Sequence, residues 1–332
     1  MIETMVFPCT YKCNAKCIMC SIPERKLSDL DVKEFERFFS DKRLRNLKSV
    51  NITGGEPTLR ADLPDLVNMI LDKCPMINEI LVNTNGLLPD LIYSQVERIL
   101  SLLNENIKLW VFVSLDALDE TAEYIRGVAK AGEKARETIE KLKKLKDRYA
   151  NFEIAISCTI SSANYDRLRA IYDYARERGI CIDFIYATVN SAYINSAPKA
   201  DNFVMDEQQK EVVASFLEAI DDYSNVVSSK AFIIRMVKRL RGEKLTKQCI
   251  LREGRGILLE ADGTVRPCGM ADELLLGHIQ DEEYSWLDSI PSIIKKDICS
   301  KCDTDSYYNW TEEAQKTIVS EMLKAVKRNR GK

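Results

Sequence analysis

The sequence has very little histidine and no long hydrophobic run. His278 is the single histidine among 332 residues, so imidazole acid–base catalysis has little support. No run of about 18 apolar residues is present, and the first residues lack the charged-then-apolar layout of a secretory signal. The net charge of −3 gives no global basic character that would suggest nucleic acid or an anionic membrane as a partner. These absences predict a cytoplasmic protein that binds neither nucleic acid nor membranes.

Cysteine, by contrast, is abundant. Eleven cysteines without a secretory signal indicate reduced thiols and metal sites rather than a disulfide framework. Most of them form two groups, a CxxxCxxC motif near the start of the chain and four later cysteines that end in a CxxC: Cys13, Cys17 and Cys20, then Cys249, Cys268, Cys299 and Cys302.

The CxxxCxxC motif brings its thiolates close enough in sequence to reach one metal centre. Structural zinc usually takes four ligands, and electron-transfer [4Fe–4S] clusters use four cysteines. The motif is therefore compatible with a [4Fe–4S] cluster that leaves one iron free, or with a zinc knuckle whose fourth ligand lies elsewhere. By spacing alone, the second group could close a tetrahedral zinc site or ligate a whole [4Fe–4S] cluster.

Short apolar segments alternate with longer amphipathic ones through the first 190 residues. The apolar segments predict six strands: Met5–Phe7, Ser49–Thr53, Glu79–Asn83, Lys108–Leu115, Phe152–Ile160 and Cys181–Tyr186. The amphipathic segments predict the helices between and after them: Asp31–Phe39, Asp62–Asp72, Asp90–Leu103, Glu133–Arg148 and Tyr165–Arg178. This alternation is typical of a parallel sheet with right-handed crossovers, either open or curled into a barrel. Polar and glycine clusters follow several strands, at the edge where parallel α/β proteins form their sites.

The pattern changes after residue 190. A polar loop is followed by two predicted helices, a hairpin turn and a C-terminal helix: Glu207–Tyr223 with Asp206 as its N-cap, Lys230–Leu240, Asp262-Gly263 and Glu312–Arg328. We therefore divide the chain into a core, a helical linker, a small hairpin-plus-helix domain and a terminal helix: 1–205, 206–245, 246–310 and 311–332.

Five segments, in this order along the chain, carry a family resemblance: Cys13/Cys17/Cys20, Gly54–Pro57, Thr84–Gly86, Ser114–Asp116 and Ile125–Gly127. Through them the sequence resembles the radical S-adenosylmethionine (radical SAM) superfamily over approximately residues 4–190. The resemblance implies an α/β fold, a partial (β/α)6 TIM-like barrel. It also implies that Cys13, Cys17 and Cys20 hold a [4Fe–4S] cluster whose fourth iron chelates the amino and carboxylate groups of SAM.

Reduction of that cluster, by a flavodoxin- or ferredoxin-type donor, would cleave SAM to methionine and a 5′-deoxyadenosyl radical. The radical would abstract a hydrogen atom from an unactivated C–H bond, while the protein positions the reactants and excludes water.

The resemblance also implies which residues meet SAM. Gly54, Gly55, Glu56 and Pro57 would bind the SAM ammonium, and Arg126 would bind the carboxylate. Asn85 and Ser114 would contact the methionyl or ribose part. Met19 would lie beside adenine, at a position where the family often has an aromatic residue. Asp116 would face SAM or the substrate. Without the cysteine motif, the polar residues Asn85, Ser114 and Asp116 would be read as turn chemistry at strand ends.

The C-terminal cysteines resemble the Twitch domain, a shortened form of the SPASM domain that follows many radical SAM cores. Cys249, Cys268, Cys299 and Cys302 would then bind one auxiliary [4Fe–4S] cluster, with zinc as the alternative. His278 stands in a Leu-Gly-His-Ile segment where that family often has asparagine, and we interpret it as a turn residue.

Two cysteines in the last predicted strands, Cys158 and Cys181, have two interpretations. They are either small buried apolar residues or hydrogen-atom donors to a substrate radical, as in radical epimerases.

The favoured hypothesis is an oxidoreductase that acts on a natural-product-type sugar, aminocyclitol or nucleoside and passes an electron to the auxiliary cluster. The alternatives are a radical epimerase of a sugar or ribosomal peptide, a ribosomal peptide maturase and, more distantly, a non-catalytic Fe–S sensor. Only twelve residues precede Cys13, too few for a leader-binding domain, and this favours a small molecule over a peptide.

Overall fold

A mixed sheet, with nine strands among the residues that the structure describes, organises the fold. The computed structural model describes residues 1–190, 194–243, 249–251, 253–269 and 275–289. Six parallel strands come first along the chain: β1 Thr4–Pro8, β2 Ser49–Thr53, β3 Glu79–Thr84, β4 Lys108–Ser114, β5 Phe152–Ile160 and β6 Cys181–Tyr186. Each pairs in parallel with the next, so the chain builds this half of the sheet in sequence order.

Helices connect and cover these strands: α1 Val32–Phe39, α2 Leu63–Lys73, α3 Pro89–Leu102, α4 Thr121–Arg126, α5 Ala131–Lys146 and α6 Leu168–Glu177. The strand side chains that point towards the helices, such as Ile80 and Val82, are fully buried and form one continuous apolar core. Phe7 of β1 packs edge-on against Phe35 of α1, with ring centroids 5.1 Å apart. This arrangement confirms the predicted partial (β/α)6 TIM-like barrel. The short helix α4 was not predicted.

Two further helices follow β6: α7 Glu207–Glu218 and α8 Lys230–Leu240. The predicted N-cap Asp206 accepts a hydrogen bond from the Gln209 N–H at 2.8 Å, which satisfies a donor that the first turn of a helix leaves open. Helix α7 ends earlier than predicted, and the connection to α8 runs beside β6. There the Ile182 N–H donates to the Asn225 carbonyl at 2.7 Å, so this connection covers the edge of the last barrel strand.

The C-terminal strands continue the same sheet at its other side: β7 Gly256–Leu259, β8 Thr264–Arg266 and β9 Gly277–His278. Strand β7 pairs in parallel with β1, and β8 and β9 then pair antiparallel. The predicted hairpin turn at Asp262-Gly263 joins β7 to β8. The proposed domain boundaries remain a prediction, and the predicted helix Glu312–Arg328 lies outside the described residues. No helix among those described is long and apolar enough to cross a bilayer.

Candidate active site

The CxxxCxxC loop leaves β1 at the carboxyl end of the barrel and is fixed there by main-chain hydrogen bonds on both sides. On one side the Gly55 N–H donates to the Thr10 carbonyl at 2.7 Å, and the Glu56 N–H donates to the Lys12 carbonyl at 2.8 Å. On the other side the loop reaches helix α4, where the Lys16 N–H donates to the Arg126 carbonyl at 2.9 Å. The loop is therefore held by backbone that is distant in sequence.

Two glycines make these contacts possible. A Cβ atom built on Gly55 would lie 2.1 Å from the Lys12 carbonyl oxygen, closer than any real contact. Gly127 has φ +63°, and a Cβ there would lie 2.5 Å from the Lys16 carbonyl oxygen. The sequence predicts that Gly54 and Gly55 let a ligand approach, but among the described residues they also make room for the cysteine loop itself.

Glu56 is 1% exposed and already accepts several protein hydrogen bonds. Its Oε1 accepts from the Thr58 hydroxyl at 2.6 Å and from the Thr84 hydroxyl at 2.9 Å. Its Oε2 accepts from the Asn85 N–H at 2.6 Å. Burial raises the pKa of Glu56, and these donors oppose that shift. The carboxylate therefore links the end of β2 to the end of β3 through hydrogen bonds that do not involve a ligand.

The other side chains assigned to SAM approach the cysteines directly. Asn85 Nδ2 donates to Asn14 Oδ1 at 2.7 Å and lies 3.7 Å from Cys13 Sγ. Arg126 Nη1 lies 3.8 Å from Cys17 Sγ. Met19 and Ser114 line the same cavity as the cysteines, whereas Pro57 is buried beside it at the start of a 3-10 turn.

Asp116 lies behind Arg126 and not at the cavity surface. Its Oδ2 is 2.6 Å from Arg126 Nη2, and its Oδ1 accepts from the Thr159 N–H at 2.9 Å. Burial disfavours the charged guanidinium, but the charge of Asp116 raises the pKa of Arg126 overall. The sequence predicts that Asp116 faces SAM or the substrate, which stays a prediction; in the structure its carboxylate is 1% exposed and pairs with Arg126.

The three cysteines supply the thiolates that a [4Fe–4S] cluster takes. All three line one cavity, and their sulfurs receive hydrogen-bond donors, such as the Ala15 N–H at 3.4 Å from Cys13 Sγ. Among the described residues, no group of three or more His, Cys, Asp or Glu is placed to hold one metal ion. A [4Fe–4S] cluster takes each cysteine on a different iron, so its ligands need not converge on one point, and donors to the sulfurs are usual there.

The cavity under the cysteines has a volume of about 430 Å³ and extends into the barrel. One layer of its wall is formed by three residues in register on adjacent strands: Ser114 of β4 pairs with Ser157 of β5, which pairs with Asp183 of β6. We call these three residues the polar row. Ser157 and Asp183 were not predicted. The alternation of inward and outward residues along β5 and β6 is the signal that could have identified them.

Asp183 is the one acidic side chain among the described residues that line this cavity. It accepts hydrogen bonds from the Ser228 hydroxyl and from the Phe184 N–H. Burial raises the pKa of Asp183 to about 6, although these two donors oppose the shift.

The two candidate hydrogen-atom donors do not reach the cavity. Cys158 lies between Ser157 and Thr159, which line the cavity, so the strand's alternation turns Cys158 to the opposite face. There it is fully buried in the apolar core. Cys181 pairs with Ala155, one inward-facing layer below the polar row and about 7 Å from it along the strand. The apolar interpretation fits Cys158, and the donor role assigned to either residue is not supported by its position.

The C-terminal hairpin is joined to the cysteine loop by a buried carboxylate. Glu260 is 0% exposed and accepts from the Tyr11 hydroxyl at 2.9 Å, from Arg25 at 2.8 Å and from Arg266 at 2.6 Å. Two residues after Arg266, Cys268 is half-buried, as is Cys249. Cys299 and Cys302 lie outside the described residues.

His278 lies in this hairpin region, away from the cavity. Its Nε2 is 2.7 Å from the Asp262 carbonyl oxygen, and the residue lies in strand β9 rather than in a turn.

Comparisons with known proteins agree with this geometry. The family description "Radical SAM superfamily" matches residues 7–175. A probable GTP 3′,8-cyclase from Methanococcus maripaludis is 28% identical over 286 residues, which cover 80% of this chain and 85% of the relative. An Fe-coproporphyrin III synthase from Methanosarcina barkeri is 26% identical over 198 residues, which cover 58% of this chain and 46% of the relative.

Two solved structures share the fold. Native anSMEcpe with bound AdoMet and Cp18Cys peptide aligns with a TM-score of 0.63 at 22% identity, covering 91% of this chain and 86% of that one. Streptococcus suis SuiB bound to precursor peptide SuiA aligns with a TM-score of 0.62 at 16% identity, covering 92% and 71%.

Proposed function

The chain belongs to the radical SAM superfamily, and on this premise we propose that it abstracts a hydrogen atom from a small polar substrate held in the barrel cavity. The family implies SAM and a [4Fe–4S] cluster. The observation that carries the proposal is the single cavity shared by Cys13, Cys17 and Cys20 and by the polar row. One space can therefore hold the source of the radical and the substrate together.

The chain's own residues would hold the cofactors at the top of this cavity. Cys13, Cys17 and Cys20 would bind the cluster, which when reduced supplies the electron that cleaves SAM. The turn Gly54–Pro57 and Asn85 would hold the methionyl part of SAM, and Arg126, oriented by Asp116, would meet its carboxylate. Buried walls around them would keep water away from the radical.

The lining of the cavity supports a neutral or cationic substrate. Apart from Arg126, which is engaged by Asp116 and lies beside Cys17, no described residue that lines the cavity is cationic. Beside apolar side chains, the barrel wall presents amides and hydroxyls, such as those of Asn51, Asn83 and Ser157, which suit a sugar, an aminocyclitol or a nucleoside. We favour these classes over a substrate with several negative charges.

We further propose that the product is oxidised, with an auxiliary [4Fe–4S] cluster on Cys249, Cys268, Cys299 and Cys302 as the electron acceptor. A flavodoxin- or ferredoxin-type protein would reduce the first cluster. Metal analysis of the reconstituted protein separates the alternatives: two clusters give about eight irons per chain and no zinc, while a zinc site gives about four irons and one zinc.

The decisive experiment is incubation of the reconstituted protein with SAM and a strong reductant, followed by assay for 5′-deoxyadenosine. The expected result is 5′-deoxyadenosine from the native chain and none from Cys17→Ala. No 5′-deoxyadenosine from a protein with a full complement of iron would favour the Fe–S sensor.

A second candidate is a nucleotide cyclase. Several GTP 3′,8-cyclases align over most of both chains, which favours this candidate. The triphosphate of GTP, however, would need cationic partners that the described part of the cavity does not offer. Incubation with GTP, SAM and reductant tests the point: a cyclised product would replace our substrate assignment, and unchanged GTP would support it.

Peptide modification and epimerisation remain alternatives. The likeness to SuiB and anSMEcpe concerns the fold. Turnover in deuterated water distinguishes epimerisation, because a redox-neutral reaction with solvent deuterium in the product would argue against oxidation.

A further inference from the structure

Asp183 is a carboxylate for which the radical chemistry described above has no use. It lies at the end of the polar row, in register with Ser157 and, one strand further, with Ser114, the last residue of β4. Both serines and Asp183 line the cavity that the cysteines share. The carboxylate is therefore aimed into the space where a substrate would bind.

No cationic side chain among the described residues forms an ion pair with Asp183. Three cations elsewhere in the barrel are engaged with other groups. Arg126 pairs with Asp116 at 2.6 Å, Lys146 pairs with Glu153 at 2.6 Å, and the Lys108 ammonium lies over the Trp110 ring at 4.4 Å, deeper in the barrel. The partners of Asp183 are the hydroxyl of Ser228 and one backbone N–H.

A half-buried carboxylate without a cation is costly, because its charge loses part of its hydration without gaining an opposite charge. Packing of the sheet does not require a carboxylate at this position, since Ser157, the inward-facing residue beside it on β5, has a smaller and uncharged side chain. Such a charge at a cavity wall has a direct use when a ligand supplies the missing cation. A bound ammonium group would complete the ion pair and donate hydrogen bonds to the carboxylate.

We propose that Asp183 binds the ammonium group of an amine-bearing substrate, with Ser157 and Ser114 bonding to its neighbouring polar groups. Ser228, which donates to the carboxylate from the segment before α8, positions Asp183. This inference rests on the proposed function and narrows its substrate class from polar small molecules to amines.

The test uses the reconstituted holoenzyme with SAM and two sugar probes that differ in charge. D-glucosamine carries an ammonium group at neutral pH, and N-acetyl-D-glucosamine carries a neutral amide in its place. Isothermal titration at pH 7 is expected to show at least about tenfold tighter binding of D-glucosamine, the gain typical of one charge-assisted contact. In Asp183→Asn this preference should disappear.

Asp173→Asn is the matched control because it makes the same substitution on α6, where the Asp173 side chain is 43% exposed, and it should retain a preference for D-glucosamine. The affinity for SAM, measured in the same titrations, should be alike in all three proteins. Equal or undetectable binding of the two sugars to the native chain would overturn the inference, as would a preference that survives in Asp183→Asn. A change in SAM affinity in Asp183→Asn would assign Asp183 to SAM instead.

Failure of the radical chemistry is separable from failure of this inference. A native chain that forms no 5′-deoxyadenosine refutes the proposed function, while the sugar preference reports on Asp183 alone.

Discussion

The two walls of the cavity are built in different ways. The cysteine loop is held by main-chain hydrogen bonds to the Gly54–Pro57 turn and to the end of α4. Gly55 in that turn and Gly127 after α4 lie so close to the loop that a side chain at either position would clash with it. The polar row consists of single side chains on three strands whose opposite faces pack in the core. A side chain in the polar row can change without altering the sheet, whereas the cysteine loop tolerates little change.

This difference suggests how one fold serves different substrates. The wall that starts the radical is fixed by backbone, so its geometry depends on few side chains. The polar row, which the proposed function places beside the substrate, depends on side chains, and its chemistry can vary while the strands stay in register.

The strongest test of the backbone contacts that hold the cysteine loop is Gly55→Ala. The added Cβ would fall 2.1 Å from the Lys12 carbonyl oxygen, so the loop must move away from the turn. We expect loss of iron from the first cluster and a fall of more than about 100-fold in 5′-deoxyadenosine formation, because small displacements of reacting groups have effects of this size.

Gly179→Ala is the control for that variant. Gly179 has φ +62° but nothing within 4 Å of a Cβ, so the substitution should cost about 1 kcal/mol of stability and leave the iron content unchanged. Normal iron content in Gly55→Ala would show that the loop is less constrained than its contacts indicate.

A smaller effect is expected from Glu260→Gln, which tests whether the hairpin braces the same wall. Loss of the carboxylate leaves Arg25 and Arg266 without its charge, and removing one partner of a buried ion pair typically costs about 3–5 kcal/mol. Urea unfolding measures the change. A loss below about 1 kcal/mol would mean that the hairpin and the cysteine loop are held together by other contacts.

Asp183→Asn should increase the stability of the protein, and the size of the increase should depend on pH. Because the folded-state pKa of Asp183 is raised from 3.8 to about 6, the folded protein binds this proton more tightly than the unfolded chain does. The native chain therefore loses stability as pH rises from about 4 to above 6. At pH 8 we expect the neutral variant to be more stable, by up to about 3 kcal/mol.

That advantage should shrink as pH falls below 6 and should be lost near pH 4. Thermal unfolding of both proteins between pH 4 and 8 measures it. A pH-independent difference would mean that Asp183 is not the group that titrates.

The smallest effect is expected from Cys158→Ala, which tests whether this thiol takes part in the chemistry. The side chain is fully buried on the core side of β5, so we expect a loss of about 1 kcal/mol in stability and unchanged turnover. A specific loss of epimerised product in this variant would restore the hydrogen-donor hypothesis.

The cysteine loop and the turn that holds it can be predicted well from the sequence, because both follow patterns over a few neighbouring residues. The cysteine motif, the Gly54–Pro57 turn and the strand bounds depend on short spacings and on apolar runs. The N-cap at Asp206 is likewise a short-range pattern.

The polar row is harder to predict because its members come from separate strands. Alternation along β5 shows that Ser157 and Cys158 face opposite sides, but the direction of each depends on where the helices pack. For the same reason Asp116 could not be recognised from the sequence as the partner of Arg126. The hydrogen bond between Ser228 and Asp183 could not be predicted either, because it depends on how the connection before α8 reaches the edge of β6.

The pairing of β7 with β1 has a consequence for synthesis of the chain on the ribosome. Thr4 pairs with Gly256, so β1 waits for its second neighbour until about 250 further residues are made. At common elongation rates this takes roughly 10 to 50 seconds. Throughout that interval β1 presents an open apolar edge that invites pairing with another nascent chain, and chaperone binding at this strand would protect the protein until its C-terminal hairpin arrives.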